Sequence, residues 1–66
     1  MLGTKIIQKL IHEAPKFLKK NAWLIFEVGV GQGTFIMQLC KKTSLFSKVE
    51  SVSDDSENIR VIAAQK

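Results

Sequence analysis

Apolar side chains at Ile6, Ile7, Leu10, Ile11, Ala14, Phe17 and Leu18 recur at i, i+1, i+4, i+5, which makes one stripe on a helix over residues 4–20. Thr4 can cap its start, Lys19 and Lys20 suit the negative end of its dipole, and Asn21 can take the left-handed turn that stops it. Pro15 conflicts with a continuous helix. It removes one backbone donor and crowds the carbonyl of Ile11, so the helix is expected to kink or split there.

Trp23 to Val28 form a nearly continuous apolar run between Asn21 and Gly29, the pattern of a strand buried on both faces. Gly29, Gly31 and Gly33 punctuate its exit. Helical spacing returns at Phe35, Ile36, Leu39 and Cys40, and this second helix is expected to end near Lys41-Lys42-Thr43. Residues 48–52 and 59–64, rich in Val and Ile, flank the polar stretch Ser53 to Asn58 as two antiparallel strands flank a hairpin loop. The predicted order is helix, strand, helix, strand, strand. The first strand-helix-strand unit is expected to cross over right-handed and the last two strands to pair, giving an α/β fold on a mixed three-stranded sheet. No repeat or low-complexity segment interrupts it.

At 66 residues, with 45% hydrophobic and 24% charged positions, the chain reads as one small α/β domain over 1–66 with a thin core, not a disordered segment or linker. Its longest uninterrupted apolar run is far short of the roughly 20 residues a membrane helix needs, and Met1-Leu2-Gly3 lacks the basic-then-apolar layout expected of a signal peptide. A single cysteine, Cys40, excludes an internal disulfide, and with a single histidine, His12, it excludes a structural zinc site. A soluble cytoplasmic protein without a membrane partner is the expectation.

The net charge of +4 is polarised. Residues 1–20 hold five lysines against Glu13, whereas Glu50, Asp54, Asp55 and Glu57 cluster late. With one arginine and no aromatic interleaved among the lysines for base stacking, the pattern argues against direct nucleic-acid binding and for a solvated helix face.

The local motif with chemical content is Glu27-Val28-Gly29-Val30-Gly31-Gln32-Gly33, set between a strand and a helix. It resembles motif I of class I S-adenosylmethionine (SAM) methyltransferases, E-x-G-x-G-x-G, in which glycines let the backbone approach the cofactor at a helix N-terminus. On that reading Glu27, Gly29, Gly31 and Gly33 cradle the cofactor, and Asp54 or Asp55, about twenty residues further on, binds its ribose. The pocket would still need further strands.

The wider context gives another reading. Gly3 with the helix Ile6 to Leu18, the phrase Ala14-Pro15-Lys16-Phe17-Leu18-Lys19, the strand Trp23 to Gly29, and Gln32-Gly33 resemble the terminal helix and fifth strand of the HemK/PrmC family. These are SAM-dependent N5-glutamine methyltransferases of peptide chain release factors, with a Rossmann-like class I fold. Val49-Glu50-Ser51-Val52, Asp54 and Arg60-Val61 resemble the family's closing hairpin. Asn21-Ala22 departs from its usual Pro-Gly or Gly-Gly turn, and an extra residue or so lies within Lys42 to Ser47.

The resemblance implies that the chain is the C-terminal portion of such an enzyme, whose own SAM motif and Asn-Pro-Pro-Tyr substrate motif lie upstream of residue 1. Without tyrosine, and with Pro15 alone, the chain cannot hide the second motif. The isolated piece is therefore expected to be structural, with no catalytic residue and no cofactor of its own, while SAM and a release factor belong to the parent enzyme. A small non-catalytic interaction module and a truncated SAM-binding unit are the competing functions.

Residue by residue, Glu27 is expected to cap the second helix, Gln32 to bond backbone within its turn, His12 to lie on the surface, and Cys40 to fill the core. Asp54, Asp55 and Glu57 read as a solvated loop, with Arg60 within reach of one of them. The fifth strand of a class I methyltransferase pairs with a fourth that this chain lacks. Residues 23–28 are thus expected to present an open edge prone to self-association.

Overall fold

The computed structural model describes residues 4–66, with the side chains of residues 5–66. The cap expected from the Thr4 side chain and the position of Gly3 lie outside what is described. Helix α1 runs Thr4–Glu13 and passes at Pro15 into a single 3-10 turn, Ala14–Lys16. The proline thus splits the predicted helix, because its ring and missing N–H end the α-helical ladder. Asn21 takes the left-handed conformation (φ 71°) that turns the chain into strand β1, Trp23–Glu27. Helix α2 spans Gly33–Lys42, and strands β2 (Lys48–Ser53) and β3 (Ile59–Gln65) follow as a hairpin.

The sheet order is β1-β3-β2, and both pairings are antiparallel. This corrects the expected mixed sheet. β1 and β2 do run in the same direction, as a crossover through α2 requires, but β3 returns from the hairpin between them, so the two parallel strands never touch. The central position suits β3, which carries the fully buried Ile62 and Ala64.

Ile7 and Ile11 of α1 and Ile36 and Cys40 of α2 join Phe26, Val28 and Ile62 in one core on one face of the sheet. The opposite face is open. Trp23, Ile25 and Glu27 alternate outward along β1 beside Val61 and Ala63 of β3, and Ile25 is 64% exposed. β1 is therefore buried on one face, not two, because both helices lie on the same side. Its apolar run looked continuous only because apolar residues occupy the outward positions as well.

The stripe on the first helix is likewise wider than the core it serves. Ile7, Ile11 and Pro15 are buried, whereas Ile6 and Phe17 stand in solvent at 58% and 86% exposure.

Candidate functional site

The exit of β1 is built by its own backbone. Val28 N–H donates to the Arg60 carbonyl at 2.9 Å, which carries the β1–β3 pairing one residue past Glu27. The chain then closes a four-residue turn in which Gln32 N–H donates to the Gly29 carbonyl and the Gln32 side-chain oxygen accepts from Gly29 N–H, both at 3.0 Å. The third residue of such a turn can require a positive φ, which Gly31 supplies at 86°. A side chain at Gly31 would meet nothing within 4 Å, so backbone conformation alone demands glycine there.

Gly33 is needed for a different reason. A Cβ at that position would lie 2.3 Å from Cβ of Ile59, so the first turn of α2 sits directly on the start of β3. Gly31, Gly33 and Thr34 thereby form one wall of a cleft of about 150 Å³, and Glu57, Asn58 and Ile59 form the other. Sequence reading missed this second wall. The available signal was Gly33 itself, since a glycine opening a helix can mark a close neighbour.

Asp54 does not line that cleft. Its Oδ1 accepts the N–H groups of Ser56 at 2.9 Å and Asn58 at 3.0 Å, and its other oxygen lies 3.8 Å from Arg60. The Asn58 amide foremost, with the Ser56 amide and the Arg60 guanidinium, holds this carboxyl below its ordinary pKa. The carboxylate is committed to shaping the hairpin loop. Within the loop Glu57 N–H donates to the Asp54 carbonyl, and Glu57 takes a positive φ of 65°.

The predicted cap at Glu27 does not form. Glu27 is exposed on the open sheet face, and the residue before α2, Gln32, makes no side-chain cap bond to it. Because Glu27 is exposed, its carboxylate meets no cost of burial and needs no partner at the helix end. Gln32 bonds backbone within its turn, as read from the sequence. His12 is exposed, with Nδ1 bonded to the Gln8 carbonyl at 2.8 Å. Cys40 is fully buried and burial pushes its thiol pKa up, which leaves it unreactive at neutral pH.

The structure therefore brings Gly31 and Gly33 to one cleft and leaves Glu27 and Asp54 outside it. A pocket for a nucleoside-sized cofactor is of about 300–1,000 Å³. This cleft is much smaller, the Gly29 amide of the motif lies outside it and is already bonded to Gln32, and the ribose-binding candidate Asp54 faces its own loop.

No protein-family model matches the chain. Among curated proteins, it is 30% identical over 63 residues to the release factor glutamine methyltransferase of Thermosynechococcus vestitus and 32% identical over 63 residues to that of Bacillus cereus. Each match covers 96% of this chain and 22% of the relative, so the chain spans about a fifth of the length of the curated proteins it matches. The resemblance read from the residues is thereby found independently along nearly the whole sequence. Among the described residues, no helix is long and apolar enough to cross a membrane.

Proposed function

We propose that this chain is the C-terminal wall of a SAM-dependent methyltransferase domain that modifies a glutamine amide of peptide chain release factors, and that it is structural when isolated. The observation that carries this reading is the similarity to release factor glutamine methyltransferases through both helices and all three strands. In this reading SAM and the release factor are bound by upstream parts of the parent enzyme, which works in the cytoplasm. The small cleft and the committed Asp54 carboxylate support the absence of a cofactor site in the chain itself.

The free edge of β1 would take the fourth strand in the parent. In the isolated chain residues 23–28 instead offer a self-association edge, since β1 pairs with β3 on one side only.

The test is a chimera. The matched segment of the Bacillus cereus enzyme is replaced by this chain, and SAM-dependent methylation of a release factor is measured. Retained methylation is expected; a folded but inactive chimera would sink the reading. Calorimetric titration of the isolated chain with SAM is expected to give no binding heat, and a one-to-one isotherm would return the glycine turn to candidacy as a cofactor site.

A further inference from the structure

We draw no further inference here: the strongest candidate, the cleft of about 150 Å³ between the first turn of α2 and the start of β3, is walled by a helix N-terminus and the hairpin loop alone, and among the described residues no buried side-chain polar atom is left without a partner to mark a ligand there.

Discussion

The ammonium of Lys66 donates to the carbonyl of Leu18 at 2.9 Å and also to the carbonyl of Pro15, so the last side chain of the chain caps the broken end of its first helical segment. The helix needs this because its ladder stops at the proline turn, and carbonyls at a helix end have no partner within the helix. The backbone of the same residue is held as well, with Lys66 N–H donating to the Ala22 carbonyl at 2.9 Å. Two segments far apart in sequence are thereby joined by side-chain and backbone hydrogen bonds of one residue.

Lys66→Met keeps the apolar stem and removes the donors. Hydrogen bonds to a charged group contribute about 1.5–3 kcal/mol when not fully solvent-screened, and Lys66 is half-buried, so a loss of about 1–2 kcal/mol is expected in urea unfolding. An unchanged midpoint would mean that water caps those carbonyls equally well.

Gly33→Ala forces a methyl group to within 2.3 Å of Cβ of Ile59, and neither atom belongs to a flexible side-chain end. Helix α2 must move off β3, at a cost of about 1–3 kcal/mol. Ile59→Ala does not rescue the variant, since the clash with Cβ remains; Ile59→Gly in the Gly33→Ala background should remove the steric conflict. Thermal melts of the single and double variants give the comparison, and additive losses from the two substitutions would contradict direct contact.

Asp54 makes the hairpin loop sensitive to acid. Its folded-state pKa is lowered by the Asn58 and Ser56 amides and by Arg60, so the folded chain binds its proton less readily than the unfolded chain. The stability it contributes is fully present above the unfolded value of about 3.9 and is lost as pH falls through the lower folded value. Stability measured from neutral pH down to strong acid should therefore decline less steeply in Asp54→Asn than in the parent. Superimposable slopes would assign the acid sensitivity to other carboxylates.

Ile25 is the position at which to test the open edge. Its side chain points away from the core and is 64% exposed, so Ile25→Lys leaves the helix-facing side intact. A charge on a flat apolar edge strand opposes strand addition. The variant should sediment more nearly as a monomer than the parent at high micromolar concentration, with unchanged circular dichroism. A parent that is itself monomeric, with amides 23–28 protected from exchange, would contradict self-association through this edge.

Glu57 offers a stabilising change. It occupies the left-handed region at φ 65°, where a residue with Cβ is disfavoured by about 1–2 kcal/mol relative to glycine. Glu57→Gly should raise the melting temperature, offset in part by the greater freedom of glycine in the unfolded chain. A lower melting temperature would show that the Glu57 side chain contributes more than its backbone conformation costs.

Elements and turns were written locally. The 3.6-residue spacing placed both helices, Pro15 ended the first, Asn21 took the left-handed turn, and the Val/Ile runs around Ser53 to Asn58 formed the hairpin, because each depends on neighbours a few residues away. The resemblance to release factor glutamine methyltransferases was legible for the same reason, as local phrases such as Ala14-Pro15-Lys16-Phe17 and Glu27-Val28-Gly29. Tertiary structure decided what periodicity cannot encode. Both faces of β1 read as apolar, and only the placement of both helices on one side left Trp23 and Ile25 in solvent. The insertion of β3 between β1 and β2 turned an expected mixed sheet into an antiparallel one, since strand order is a choice among non-local pairings. The same holds at the candidate site: spacing put Asp54 at a ribose-binding distance from the glycines, but the hydrogen bonds of its own loop claimed the carboxylate, and Ile59 took the space beside Gly33.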